Sequence, residues 1–348
     1  MKKIVVLFLA VIMLFSVFAM NTGAISINDG KAELENQFLY GEGPETNVYV
    51  LDYRYYSPVK GDYDTTKYPV VIWLHGLSHG QYEGFQIKSN NITNWASDEF
   101  QSRFTESAGA YIVAVRAPED IGISWEEEAL IPALKNTIDD FIINNIDTVN
   151  PSKIYVGGFS MGGMMTFKMA MEYPEMFAAI FPICPYITID DNDAMKFADV
   201  PVWLTSGKKD HLVSYKGKVL KDWNAVVNTT KVPEYCRLST LEKTCNPDGS
   251  AAATQHNSWE AVTNDMFSGT NGDYPYMSTV SATGEKIELT YPNGLISWLE
   301  GFSSEYTLDD AGLSDTGGDV KISIIERLKG IFMVIYFFIR NLLRPITG

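Results

Sequence analysis

Lys153-Ile154-Tyr155-Val156-Gly157-Gly158-Phe159-Ser160-Met161-Gly162-Gly163 sets a short apolar, β-branched run against a cluster of glycines around one serine. Ile154 to Val156 reads as a strand covered on both faces. Met164 to Tyr173, closed by Pro174, reads as a helix. The serine therefore lies on a tight strand-to-helix turn. Such a turn needs small neighbours, lifts the hydroxyl clear of the sheet and brings it to a helix N-terminus, where backbone N–H groups favour developing negative charge. A Gly-x-Ser-x-Gly match is weak evidence alone; this context makes Ser160 a candidate nucleophile.

Outward from this turn, strand and helix alternate. Val70-Val71-Ile72-Trp73-Leu74, closed by His75-Gly76, and Tyr111-Ile112-Val113-Ala114-Val115 are continuous apolar runs. Leu130, Ile131, Leu134, Ile138, Phe141 and Ile142 recur at helical spacing. Ala178 to Ile183 and Val200 to Thr205 are two further expected strands. Such alternation predicts an α/β fold, a doubly wound and mostly parallel sheet with helices on both faces. Asn47 to Tyr56 reads as an early strand on a half-exposed edge, and Trp223 to Ala253 as a strand followed by a loop. Ser268 to Asn293, rich in Gly, Ser, Thr, Tyr and Pro, reads as a rim or lid. Leu295 to Phe302 reads as the last helix of the domain.

The chain of 348 residues carries a formal net charge of −16. That balance argues against a nucleic-acid partner, whose phosphates need a basic surface. Three cysteines are too few for a disulfide framework. Cys236 and Cys245 are close enough in sequence to staple the segment between them, which leaves Cys184 as a free, buried thiol. No Cys or His pair has ligand spacing, so neither a metal nor a cofactor is expected.

The ends differ from the middle. Lys2 and Lys3, the apolar run Ile4 to Ala19 and the small or polar residues to Ala24 have the pattern of a secretory signal peptide, residues 1–24. Residues 25–302 are the expected catalytic domain, and 303–320 an acidic flexible linker. Residues 321–348 form an expected basic amphipathic helix: Ile324, Leu328, Ile331, Ile335, Phe338 and Leu342 share a face, with Arg327, Arg340 and Arg344 elsewhere. That pattern suits a helix in a membrane interface, hence peripheral membrane contact of a secreted, extracellular chain. A helix docked on the domain is the alternative.

A serine hydroxyl needs a base, and there are four histidines. In strand–turn–helix hydrolases the order along the chain is serine, acid, histidine. His75 and His79 lie too early, and His211 leaves no room for an acid before it. His256 is the expected base. Asp210, in a loop past the strand ending near Thr205, is the expected acid, with Asp190, Asp191 and Asp193 as fallbacks. The acid accepts the imidazole N–H, fixes the tautomer and stabilises the imidazolium. The oxyanion needs two donors: Met161 N–H, next to the nucleophile, and Leu77 N–H, after the His75-Gly76 strand end. Trp125 and Trp259, in loops at strand ends, are expected to touch substrate.

Leu74-His75-Gly76, the run from Lys153 to Gly163, Tyr173-Pro174-Glu175-Met176-Phe177-Ala178-Ala179, and His256 followed by Trp259 resemble the secreted α/β-hydrolase esterase family. It includes polyhydroxybutyrate-depolymerase-like and feruloyl-esterase-like enzymes and is related to prolyl-oligopeptidase-like predicted peptidases. The resemblance runs from about Asn47 to Phe302 and is poor over Trp223 to Ala253 and Ser268 to Asn293. It implies the α/β-hydrolase fold and hydrolysis of a small-molecule or polymer-borne ester; a monomer without a cofactor is expected. The alternatives are a serine peptidase and, from another class, an inactive cell-surface binding protein on the same fold.

Overall fold

The computed structural model describes residues 31–246, 250–264, 277–289 and 294–312. The expected signal peptide and amphipathic tail lie outside the described residues, as do parts of the expected rim. Among the described residues no helix is long and apolar enough to cross a membrane.

Ten strands form one sheet in the order β1-β2-β4-β3-β5-β6-β7-β8-β9-β10. They are β1 (Leu39–Glu42), β2 (Asp52–Tyr56), β3 (Tyr68–Leu74), β4 (Tyr111–Val115), β5 (Val149–Phe159), β6 (Ala179–Ile183), β7 (Trp203–Gly207), β8 (Arg237–Leu241), β9 (Met277–Ser281) and β10 (Lys286–Ile287). From β4 to β8 every neighbouring pair is parallel, while the flanking pairs are antiparallel. The runs read as two-sided strands are buried along their whole length: every residue of β3, β4, β6 and β7 is covered. Helices pack on a parallel sheet because its crossovers place them there.

The helix Leu130–Asn144 buries Leu130, Leu134, Ile138, Phe141 and Ile142, as its spacing predicts. Pro132 sits in its first turn, where a missing N–H costs nothing. Asn145 closes it, its Nδ2 donating to Phe141 O at 2.8 Å. The helix Met161–Glu172 ends just before Pro174, which cannot continue it.

Three expectations change. The Asn47–Tyr56 segment is not an edge, because β1 pairs on its outer side. The Trp223–Ala253 segment holds the expected strand, β8, with a loop after it, but begins in a helix, Leu220–Thr229, which buries Trp223, Ala225 and Val226. Nor does the domain end at Phe302. Ser304 N donates to Ser152 O at 2.8 Å, and Tyr306 is buried with its hydroxyl donating to Asp139 Oδ1 at 2.6 Å. The first ten residues of the expected linker therefore include packed structure, anchored by one aromatic side chain.

Candidate active site

The parallel register brings several strand ends together. Leu74 is opposite Gly158, Phe159 opposite Ile183, Ile183 opposite Thr205, and Gly207 opposite Leu241. The residues that follow, His75, Ser160, Cys184 and Asp210, thus share the carboxyl edge of the sheet. Ligands bind at that edge in open α/β sheets.

Ser160 has φ 56° and ψ −114°, a strained conformation for a residue with a side chain. Backbone bonds hold it there. Its N–H donates to Ile183 O at 2.9 Å, and its carbonyl accepts from Met164 N at 3.0 Å and Tyr186 N at 2.9 Å. The glycines are required by close approach: a Cβ on Gly158 would lie 2.4 Å from Leu74 O, and one on Gly162 2.0 Å from the same atom. The helix Met161–Glu172 starts at the next residue, so its N-terminal amides point towards the serine end.

Asp210 and His256 meet 46 positions apart in sequence. His256 Nδ1 donates to Asp210 Oδ2 at 2.7 Å. Asp210 Oδ1 accepts from Leu212 N at 2.8 Å and Val213 N at 2.9 Å, which fixes the carboxylate. Lys208, two residues before it, pairs with Glu242 and not with Asp210. The His256 loop is tied to the end of β8: Thr244 N donates to Gln255 Oε1 at 3.1 Å, Thr244 Oγ1 to Thr254 O at 3.2 Å, and His256 N to Thr254 Oγ1 at 3.2 Å. With Nδ1 committed to a carboxylate, Nε2 is left as the acceptor nitrogen. Burial lowers the imidazole pKa, but Cys184 and Asp210 outweigh it and hold His256 above its ordinary value.

The fallback acids have other work. Asp190 caps the short helix Asp191–Met195, its carboxylate accepting from Asn192 N and Asp193 N, while Asp190 N donates to Asp193 Oδ2. Asp191 accepts from Asn228 Nδ2.

Met161 follows Ser160 directly, and Leu77 lies in the turn after β3 that His79 N closes onto Gly76 O at 3.3 Å. Neither N–H takes part in a turn, loop or cap hydrogen bond among the described residues. His75 is fully buried beneath that turn. Its Nε2 accepts from Ala117 N at 3.0 Å, so the proton is on Nδ1, which donates to Gly76 O at 2.7 Å. Burial pushes its pKa down to about 3 and keeps the ring neutral.

The two tryptophans part company. Trp125 is wholly buried and its Nε1 donates to His75 O at 3.0 Å. A ring with no exposed surface supports the β3 turn, which corrects the expectation that Trp125 touches substrate. Trp259 meets the His256 ring edge-on at 6.2 Å between centroids and packs on Phe159 at 4.2 Å.

Two residues near this site carried no clear signal in the sequence. His79, discarded as too early, packs on Phe159 at 5.3 Å and on Trp259 at 6.4 Å between ring centroids. Cys184 is buried against the His256 loop, its thiol donating to His256 O at 3.6 Å. Its place directly after the strand next to β5 was the available sign. Cys236 and Cys245 are buried and not joined by a disulfide, so the staple their spacing allows is not formed; the Cys236 thiol faces Thr230 Oγ1 at 3.4 Å.

A mostly parallel sheet with a strained serine between strand and helix, and a paired Asp and His on later loops, is a specific arrangement. The chain has the α/β-hydrolase fold. Residues 63–222 match the phospholipase/carboxylesterase family, a group of serine-type α/β-hydrolases. NocK of Nocardia uniformis subsp. tsuyamanensis, named as an esterase, is 24% identical over 183 residues, 52% of each chain. This chain thus spans about half the length of that curated relative. Among solved structures, a thermostable esterase superposes with a TM-score of 0.57 at 21% identity, covering 78% of this chain and 64% of its own. An acylaminoacyl peptidase of Pyrococcus horikoshii gives 0.46 at 14% identity over 65% of this chain and 39% of its own. The α/β-hydrolase fold places Ser160, Asp210 and His256 in the loops that follow β5, β7 and β8, the chain order that this fold uses.

Proposed function

We propose that this protein is a serine hydrolase that cleaves carboxylic esters, with Ser160 as nucleophile, His256 as general base and Asp210 as the residue that orients it. The observation that carries this reading is the 2.7 Å bond from His256 Nδ1 to Asp210 Oδ2 at the sheet edge where the Ser160 turn is held strained. Ser160 Oγ attacks the acyl carbon while His256 Nε2 takes its proton. The tetrahedral oxygen is held by the N–H groups of Met161 and Leu77, and His256 then protonates the leaving alcohol. Water repeats the sequence on the acyl-enzyme.

The esterase match of residues 63–222 and the esterase NocK favour an ester over an amide. The proposal extends to a secreted chain acting on small or polymer-borne esters, with peripheral membrane contact through residues 321–348; the sequence pattern of the two ends supports it. The test is a panel of p-nitrophenyl acetate and butyrate, feruloyl, acetyl-sugar and hydroxyalkanoate esters and a blocked peptide anilide. Ester turnover that vanishes in Ser160→Ala is the expected result. Full ester turnover by that variant, or turnover of the anilide alone, overturns the reading.

A further inference from the structure

Cys184 brings a third kind of ligand to the Asp210–His256 pair. Its Sγ, a carboxylate oxygen of Asp210 and a ring nitrogen of His256 all lie within 4.8 Å of one another, and all three side chains are buried. The sulfur is held in place: Cys184 sits at φ 34° directly after β6, and its N–H donates to Thr205 O at 2.8 Å. We infer that Cys184, Asp210 and His256 form a binding site for a thiophilic divalent cation, zinc by preference, and that filling it switches the enzyme off.

The donor set selects the ion. Sulfur and imidazole nitrogen suit zinc, whereas magnesium and calcium demand oxygen ligands. With zinc–ligand bonds of about 2.0–2.3 Å, tetrahedral donors lie roughly 3.3–3.7 Å apart, so the three groups need to move by only about an ångström. Two anionic ligands, a thiolate and a carboxylate, also cancel the charge of the ion, and the filled site buries no net charge.

The proton balance explains the inhibition. The Cys184 thiol gives its proton to solvent as the sulfur–metal bond forms. His256 binds through Nδ1, so the proton now on Nδ1 moves to Nε2. No electrons change hands, and one proton is released per ion bound. Nε2 then carries a hydrogen where its lone pair is needed, and it cannot take the proton of Ser160. The binding half of the inference stands on geometry alone; the inhibitory half rests on the proposed function.

The test uses the full chain in a buffer that does not bind metal. Zinc chloride is expected to lower p-nitrophenyl acetate hydrolysis at least 10-fold, with recovery on adding EDTA. Loss of an outer-shell partner alone typically costs about 10–100-fold in metal affinity, so loss of a ligand in Cys184→Ser or Cys184→Ala is expected to raise the zinc midpoint at least about 100-fold relative to each variant's own uninhibited rate. Cobalt added to Ser160→Ala gives a readout independent of activity: a thiolate-to-cobalt charge-transfer band, absent when Cys184→Ala is added. That band in Ser160→Ala, together with no ester turnover by the native chain, supports the site and counts against the hydrolase reading. Ester turnover by the native chain with no band in Ser160→Ala, or unchanged zinc midpoints in both Cys184 variants, overturns the inference.

Discussion

His256 Nδ1 donates to Asp210 Oδ2 at 2.7 Å, and the other oxygen of that carboxylate is occupied by two backbone N–H groups. The aspartate is therefore a fixed post against which the imidazole is held. Asp210→Asn keeps the shape and offers the wrong hydrogen-bond partner. For the proposed mechanism kcat is expected to fall by about 10³–10⁴-fold with little change in KM. Steady-state kinetics on p-nitrophenyl acetate check this.

The same pair sets a pH dependence. In the proposed mechanism the general base must be unprotonated, so activity is expected to rise with pH through the pKa of His256. Burial alone would lower that pKa, but Cys184 and Asp210 raise it, so the rise in kcat/KM is expected above the ordinary histidine value of about 6.5. Cys184→Ala and Asp210→Asn each remove a raising influence. In both, the rise is expected to shift to lower pH, which a pH–rate profile measures.

Stability responds to acid with the opposite sign of shift. His75 and His79 are held neutral, pushed down to about 3 and about 4 by burial. Below the unfolded value of about 6.5 the unfolded chain binds protons that the folded chain does not. Their contribution is full above that value and is lost as pH falls towards 3. The urea midpoint at pH 5 is therefore expected below that at pH 7.5, with a smaller difference in His79→Gln.

The Ser160 turn tolerates no bulk. Gly162→Ala places a methyl 2.0 Å from Leu74 O, a backbone atom that cannot rotate away. Destabilisation of at least about 1–3 kcal/mol is expected from overpacking. Gly301→Ala, whose methyl would meet its nearest neighbour at 3.4 Å, is expected to stay within about 1 kcal/mol. Urea unfolding of the two variants separates these outcomes.

Trp125 and Trp259 are expected to fail in different ways. Trp125→Phe removes the donor to His75 O and is expected to cost about 1–3 kcal/mol of stability, with KM nearly unchanged. Trp259→Ala removes a ring against His256 and is expected to raise KM. Calorimetry and kinetics on both variants test the contrast.

The contrast also shows what could be read in advance. Parallel strands announce themselves because burial on two faces forces unbroken apolar runs, and chain order singled out His256 and Asp210 from few candidates. Which way a loop side chain faces has no such signature: Trp125 and Trp259 look alike in sequence, and packing alone separates them. Cys184 and His79 reach the site through strand ends and a turn far from Ser160 in the chain, so only the sheet register brings them in. Tyr306 shows the same limit at the domain edge, where one aromatic residue in an acidic stretch holds the chain on the core.

The central claim is that Ser160 is the nucleophile. A fluorophosphonate probe, followed by peptide mass mapping of the full chain, tests it most directly. The expected result is one adduct, on the peptide carrying Gly158-Phe159-Ser160-Met161-Gly162, that is lost in Asp210→Asn and in His256→Ala. Labelling of another serine instead, or none in a folded chain that still hydrolyses esters, would contradict it.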